Sequence, residues 1–318
     1  MPDPLVSVVI ATRERPQLLQ RAIRSILRQT LRDIAVIVVD DGSSAAVLEA
    51  YNSPGFISDP RLSIHLASSA PRPVRGACAA RNHGLSLARG RYFVFFDDDD
   101  EMIAGDHLET ALAFYALYPG SLFIGDIRME NSGQVVLEGR LREMDGPMLK
   151  HRISADPPIY RATLEQFAQV LAHRWPHPNA VVYEAEKARS IGGLTDGLQP
   201  AEDLNFCLRY ADRCDCVIYR RQPVALFDVT PRPRLFAAFA DFHRHLIGAL
   251  SVSHGIGDIS NPHLLNAARR IHAYFLALAA ETLNASGHRR PARHFARLSL
   301  ALGFSGNALR QFFKSFAP

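Results

Sequence analysis

Five consecutive acids, Asp97-Asp98-Asp99-Asp100-Glu101, follow the apolar pair Phe95-Phe96 directly. Carboxylates this close repel one another, which raises their pKa values or demands a cation. A hard divalent ion, Mg2+ or Mn2+, suits such oxygen-only ligands. On extended chain, alternation sets Asp97 and Asp99 on one side and Asp98 and Asp100 on the other. The competing reading is a solvated acidic turn that, with Asp106, favours the start of the next helix. Position weighs against it, because open α/β sheets bind ligands beyond the carboxyl ends of their strands.

A second pair, Asp40-Asp41, closes the apolar run Ala35 to Val39 ahead of Gly42-Ser43-Ser44. A carboxylate there could accept a hydrogen bond from a ribose or a nucleobase N–H, or Asp41 could close an Asx-type turn on the backbone of Ser43. The segment Ala11-Thr12-Arg13-Glu14-Arg15-Pro16 lacks the glycines of a dinucleotide-binding fingerprint, and the chain has no G-x-x-x-x-G-K-[ST] loop. Phosphate must then be held by a metal or by arginine, and the acidic run supplies the metal. Glu202-Asp203 opens a helical pattern, a placement the helix dipole favours. His177, in Trp175-Pro176-His177-Pro178-Asn179, reads either as an acceptor-side residue or as a loop histidine without a role. Arg72 and Arg75 read as phosphate contacts or as solvated cations. The 4 cysteines form neither a disulfide framework nor the paired spacings of a zinc site, so they read as reduced packing residues.

These residues need a scaffold. In the first half, short apolar runs alternate with helical patterns, the signature of a parallel sheet covered by helices. Strands are expected at Val6 to Ala11, Ala35 to Val39, Leu62 to Leu66, Tyr92 to Phe96 and Leu122 to Ile124. Helices are expected from Pro16 through Leu27, from Gly76 to Ala88 and from Asp106 to Tyr118. Residues 127 to 178, rich in Gly, Pro and mixed charge, read as irregular segments over the sheet. Ala180 to Tyr183 and Cys216 to Tyr219 read as strands around a helix at Ala201 to Ala211. Three helices follow, at Leu235 to Leu250, Leu264 to Leu283 and Ala292 to Phe316.

With 47% hydrophobic and 21% charged residues in 318, the chain is too apolar to be disordered and long enough for a large core. Its net charge of +4 hides an asymmetry: residues 235–318 carry nine Lys/Arg against three acids, and everything before them sums to −2. A surplus confined to the tail argues against a nucleic-acid partner, which would need a basic face on the main domain. No signal-like amino terminus or membrane-spanning window is visible, so the expected location is cytoplasmic.

Taken in order, several motifs carry a resemblance over residues 5 to 210. They are Val6-Ser7-Val8-Val9-Ile10-Ala11-Thr12-Arg13 with Ser25-Ile26-Leu27-Arg28-Gln29-Thr30, then Val38-Val39-Asp40-Asp41-Gly42-Ser43, and Gly76 with Ala80-Arg81-Asn82-His83-Gly84. Gly90-Arg91-Tyr92 leading into Asp97-Asp98-Asp99-Asp100 and finally Glu202-Asp203 complete the set. The chain resembles a family 2 glycosyltransferase of the nucleotide-diphospho-sugar transferase (GT-A) fold. The resemblance implies an α/β domain with a mostly parallel sheet flanked by helices over residues 1–230, its 1–126 half binding nucleotide and its 127–230 half facing acceptor. A helical C-terminal region would occupy 231–318.

The resemblance also implies roles. Ala11, Thr12 and Arg13 would border the nucleoside, Asp41 would receive the pyrimidine N–H, and Arg81 would flank base and diphosphate. Asp97 would lie near the ribose, and Asp99 would bind Mn2+ or Mg2+, supported by Asp98 or Asp100. Asp203, beside Glu202, takes the place of the family's catalytic base. Arg13-Glu14 stands where an aromatic-Asn pair is more usual, and Thr230 where many relatives offer a histidine. No Q-x-x-R-W follows Asp203, which favours a single-addition enzyme over a processive synthase. The implied reaction is inverting transfer of one sugar from a nucleotide-diphospho-sugar, a UDP-sugar, to a glycan or lipid-linked acceptor. A catalytically silent sugar-nucleotide or glycan-binding module is the alternative.

From Thr282 onward there is no acid, while Arg289, Arg290, Arg293, Arg297, Arg310 and Lys314 accompany Phe295, Leu298, Leu300, Leu302, Phe304, Leu309, Phe312, Phe313 and Phe316. This basic amphipathic pattern suits peripheral contact with the inner face of a cell membrane. It equally suits a helical cap packed on the catalytic domain or on a second subunit of a homo-oligomer.

Overall fold

A computed structural model describes residues 3–67, 76–198, 201–230, 241–303 and 305–316. The first strand, β1 (Val6–Thr12), is a β-branched run buried along nearly its whole length. Pro16 opens α1 (Pro16–Leu27), whose Leu19, Ala22, Ile23 and Ile26 form one buried stripe. Then come β2 (Ile34–Asp40), α2 (Ala45–Tyr51), β3 (Leu62–Leu66), α3 (Ala77–Leu87) and β4 (Tyr92–Asp97). They are followed by β5 (Glu101–Met102), α4 (His107–Leu117), β6 (Leu122–Asn131), β7 (Gln134–Leu137), β8 (Arg152–Ser154), β9 (Ile159–Ala162), α5 (Leu164–Leu171), β10 (Val181–Glu184), α6 (Ala185–Ser190), α7 (Glu202–Ala211) and β11 (Val217–Asp228). The chain ends in α8 (Asp241–Ile256), α9 (Pro262–Ala285), α10 (Arg289–Leu302) and α11 (Gly306–Lys314).

Among the described residues the strands form one sheet in the order β3-β2-β1-β4-β10-β6-β11-β9-β8, with β5 on β11 and β7 on β6. It is parallel from β3 to β4 and mixed beyond, where β10 runs antiparallel to both neighbours and β11 parallel to β6. The chain passes from β1 outward to β2 and β3, then returns to place β4 on the other side of β1. Such a reversal opens a crevice at the carboxyl ends of the strands it separates. Register sets Thr12 opposite Asp40 and Ala11 opposite Asp97, so the ends of β1, β2 and β4 lie side by side. Two close approaches hold these layers. A Cβ on Gly84 of α3 would meet Val9 Cγ1 at 2.3 Å, and one on Gly90 would meet the Ser7 backbone nitrogen at 2.7 Å.

Two compact units emerge. One comprises Met1–Phe167, Pro176–Leu194 and Arg213–Pro231, and the other Ala168–Trp175, Thr195–Asp212 and Arg232–Pro318. The first holds the whole sheet and a core running from Val6 and Ile23 through Phe96 and Phe123 to Ile218 and Ala225. Within the second, Asn205 Nδ2 of α7 donates to the Ser251 carbonyl of α8 at 2.7 Å, and Ser299 Oγ of α10 donates to the Ala273 carbonyl of α9 at 2.7 Å.

Three expectations need correction. Residues 127–178 are not irregular: they complete β6 and contain β7, β8, β9 and α5. Here β6 and β11 pair with each other far past Ile124 and Tyr219, and that pairing rather than local apolarity sustains them. The expected helix at 292–316 is two, α10 and α11, broken at Gly303, where backbone in extended geometry ends the first helix. Of the helix expected at 235–250, residues 235–240 lie outside the described residues, and the described part, α8, runs on to Ile256.

Candidate active site at the carboxyl ends of β1, β2 and β4

The acidic run does not continue β4. The strand stops at Asp97, and the chain turns through Asp98 and Asp99 before β5. Alternation therefore ends, and the expected pairing of Asp97 with Asp99 on one side is not what forms. Asp97, Asp100 and His177 instead each offer a ligand atom within 4.8 Å of the others. Asp97 Oδ1 accepts from Arg81 Nη2 at 2.6 Å, while its Oδ2 lies 3.8 Å from His177 Nε2. Asp100 is wholly buried: Oδ1 accepts from the Asp228 N–H at 3.0 Å and Oδ2 from Asn179 Nδ2. Asn179 also accepts from the Asp97 N–H at 3.0 Å.

Asp98 and Asp99 face other partners. Thr12 Oγ1 donates to Asp98 Oδ2 at 2.7 Å, and Arg15 Nη1 bridges Asp98 Oδ1 at 3.1 Å and Asp99 Oδ2 at 3.2 Å. Arg21 Nη2 donates to the Asp99 carbonyl at 2.7 Å, and its Nε meets Glu101 at 3.1 Å. Cations thus balance the run on its α1 side.

Burial and like charge set the protonation. Burial, with the charges of Asp97 and Asp99 behind it, pushes Asp100 well above the usual carboxylate range. Burial pushes Asp98 up to about 6, against the pull of Thr12 and Arg15. It pushes Asp97 up as well, but Arg81 and His177 outweigh it and leave Asp97 below the ordinary range. Burial lowers His177 to about 4. Its ring is therefore neutral at pH 7, tilts against Phe227 at 4.5 Å, and has no hydrogen-bond partner at Nδ1 among the described residues.

At the end of β2 the expected Asx turn exists, but Asp40 makes it. Asp40 Oδ1 accepts from the Gly42 N–H at 3.0 Å and the Ser43 N–H at 2.7 Å, while Oδ2 accepts from Ser43 Oγ at 2.6 Å and Tyr51 OH at 2.7 Å. That leaves Asp41 pointing across to Gly76, whose N–H it accepts at 3.0 and 2.9 Å. Glu14, in left-handed conformation, accepts from the Ser44 N–H, and its own N–H donates to Ser43 Oγ at 2.8 Å. Ala11 is partly buried, Thr12 buried and Arg13 exposed. Thr230 Oγ1 accepts from the Ser132 N–H at 2.7 Å. Arg72 and Arg75 lie outside the described residues.

Glu202 and Asp203 occupy the first turn of α7, in the second unit. Glu202 is buried, and Asp203 Oδ2 accepts from Trp175 Nε1 at 3.2 Å. Sequence reasoning missed Arg15, Arg21, Asn179 and Asp228. Only Asn179 had a local signal, its place beside His177 between prolines; the others reach the acidic run through the fold alone.

A Campylobacter jejuni GalNAc(5)-diNAcBac-PP-undecaprenol beta-1,3-glucosyltransferase is 32% identical over 137 residues, 41% of this chain and 43% of that protein. Matched segments span 34% and 62% of the length of other curated relatives, so each alignment covers less than two thirds of the protein it matches. Among solved structures, S. aureus TarS 1-349 in complex with UDP-GlcNAc superposes with a TM-score of 0.63 at 14% identity, over 98% of this chain and 89% of that one. The mannosyltransferase PcManGT from Pyrobaculum calidifontis, in complex with GDP-Man and Mn2+, gives a TM-score of 0.56 at 17% identity, over 98% and 84%. Both likenesses show the α/β fold expected from the sequence. The model of the family described as glycosyl transferase family 2 matches residues 7–180, more than half of the 318, and the chain belongs to that family.

Proposed function

We propose that the protein is an inverting glycosyltransferase that moves one sugar from a nucleotide-diphospho-sugar, a UDP-sugar, to a glycan or lipid-linked acceptor. The observation that carries this reading is the cluster of Asp97, Asp100 and His177 at the carboxyl end of β4, on the same edge of the sheet as Asp41 after β2, with β1 between them. Further support comes from the named relatives: one is a GalNAc(5)-diNAcBac-PP-undecaprenol beta-1,3-glucosyltransferase, and the solved neighbours hold UDP-GlcNAc or GDP-Man with Mn2+.

The residues fit a divalent cation. Two carboxylates and a neutral imidazole converge within 4.8 Å, the imidazole is kept neutral by burial, and the like charges around Asp100 are of the kind a cation relieves. Asp97, Asp100 and His177 would hold Mn2+ or Mg2+, with Asp99 the neighbouring carboxylate that the motif assigns to it. When bound, the ion supplies positive charge to the departing diphosphate.

On the chain's own side, Asp41 exchanges its bond to Gly76 for the nucleobase N–H, and Thr12 and Arg15 position Asp98 beside the donor site. Arg81 holds Asp97 ionised. Asp203 accepts the proton of the acceptor hydroxyl as its oxygen attacks the anomeric carbon. Trp175 Nε1 at 3.2 Å from Oδ2 and the Leu204 N–H at 2.7 Å from Oδ1 orient that carboxylate. Calorimetry with UDP and Mn2+, followed by product analysis with a panel of UDP-sugars, tests the reading. Absence of metal-dependent UDP binding would sink it, and binding without turnover on any acceptor would reduce the protein to a sugar-nucleotide-binding module.

A further inference from the structure

We propose that the outward faces of α10 and α11 form a docking surface for an anionic phospholipid bilayer. The two helices spend small and polar residues on their inward contacts: Ala292, Ala296 and Ser299 are the buried residues of α10, and Ala308 and Gln311 those of α11. Asn284 Nδ2 of α9 donates to the Gln311 carbonyl at 2.9 Å. Phe295, which meets Phe242 of α8 at 5.7 Å, and Leu309 and Phe312 are half-buried, while other large apolar groups are left outside. Leu298 is 40% exposed, Phe313 64% and Phe316 53%.

Cations surround them. Arg290, Arg297, Arg310 and Lys314 are exposed, and no acid occurs anywhere from Thr282 to the end of the chain. Two further arginines are committed to the scaffold: Arg289 Nη1 donates to the Lys314 carbonyl at 2.9 Å, and Arg293 Nη2 to the Ser315 carbonyl at 3.0 Å while stacking on Phe316 at 3.6 Å. These contacts fix the end of α11 against α10, so the exposed groups belong to one ordered surface.

Charge complementarity selects the occupant. A second copy would set this cationic face against itself, since no acid on the same segment answers the arginines. A nucleic-acid backbone would answer the charges but leave Leu298 and Phe313 without an apolar partner. A bilayer rich in acidic headgroups answers both, with phosphates at the arginines and the acyl boundary at the rings. Among the described residues no helix is long and apolar enough to cross a membrane, so the contact is interfacial. It is independent of the donor reaction proposed above.

The test is flotation of the full chain with vesicles of phosphatidylglycerol and phosphatidylcholine, against vesicles of phosphatidylcholine alone. Binding is expected only to the anionic vesicles and is expected to fall with added salt. The triple variant Arg290→Glu, Arg310→Glu, Lys314→Glu changes exposed side chains only and should lower partitioning on the order of 10²-fold, at about fivefold per cation. Phe313→Ser should weaken binding while leaving its salt dependence. Melting temperature and UDP binding, measured alongside, should stay at parent values, which separates this surface from the donor site. Equal binding to neutral vesicles, no binding to anionic ones, parent-like partitioning of the triple variant, or a triple variant that instead loses a dimer or duplex-DNA binding would each overturn the proposal.

Discussion

Asn179 donates to Asp100, and both side chains are wholly shielded from water. The same amide accepts from the Asp97 N–H at 3.0 Å, so a single side chain fixes both ends of the acidic turn. An amide is the group that serves here, because it donates to one end and accepts from the other without adding charge.

Asn179→Asp removes the donor and adds a carboxylate beside one already pushed above its usual range. The variant is expected to lose about 1–3 kcal/mol of stability at pH 7, with part recovered on adding Mn2+. Thermal melts with and without the ion measure both effects. Parent-like melting in each condition would mean that Asn179 does not hold Asp100.

Metal ligation separates motif from geometry. Asp99→Ala and His177→Phe are each expected to weaken Mn2+-dependent UDP binding at least tenfold, the scale on which residues around a metal act. Calorimetry at several Mn2+ concentrations reads this. Should Asp99→Ala keep parent affinity and metal dependence while His177→Phe loses them, Asp99 belongs to Arg15 and the cluster alone binds the ion.

A pH effect should come from His107, which is not among the proposed ligands. It is fully buried, with neither ring nitrogen hydrogen-bonded among the described residues, and burial followed by the charge of Arg220 lowers it to about 3, against a small opposing pull from Asp106. The unfolded chain therefore takes up this proton near its ordinary value of about 6.5, while the folded one resists it. Stability from this residue is complete above that value and is lost as pH falls toward 3, by up to about 1.4 kcal/mol per pH unit. Urea titrations of parent and His107→Leu from pH 7.5 to 4.5 should show the difference shifting in favour of the variant as pH falls. A pH-independent difference would refute it.

The parallel half of the sheet was legible because β1, β2 and β4 are continuous apolar runs that end in acids or turn residues, and a doubly covered strand leaves that local signature. The second half was not. In β6 the stretch Gly125 to Asn131 mixes Ile127 and Met129 with polar residues and β7 is largely exposed; both are strands because of pairing partners outside their own segments. At the site, Asp97 to Asp100 were legible as a charge cluster. Which of them meet depended on where β4 stops, and Arg15 and Asn179 enter through contacts 83 and 79 positions apart. No local pattern encodes such contacts.

The last prediction concerns the proposed base. Asp203→Asn keeps the side-chain shape, but its one amide oxygen can accept from Trp175 Nε1 or from the Leu204 N–H and not from both, so the first turn of α7 should fold at a small cost in stability. What the amide lacks is a carboxylate oxygen able to take the acceptor's proton. Transfer to acceptor should fall by a factor on the order of 10² or more, while UDP and Mn2+ bind as in the parent, because the residues proposed for donor and metal are untouched. A steady-state assay paired with calorimetry on the same preparation makes the comparison, and a melt confirms the fold. If the variant binds UDP normally and still transfers sugar at near the parent rate, Asp203 is an acid that favours a helix amino terminus and no more. The base would then be sought at Glu202, which is buried in the same helix turn, or at His177.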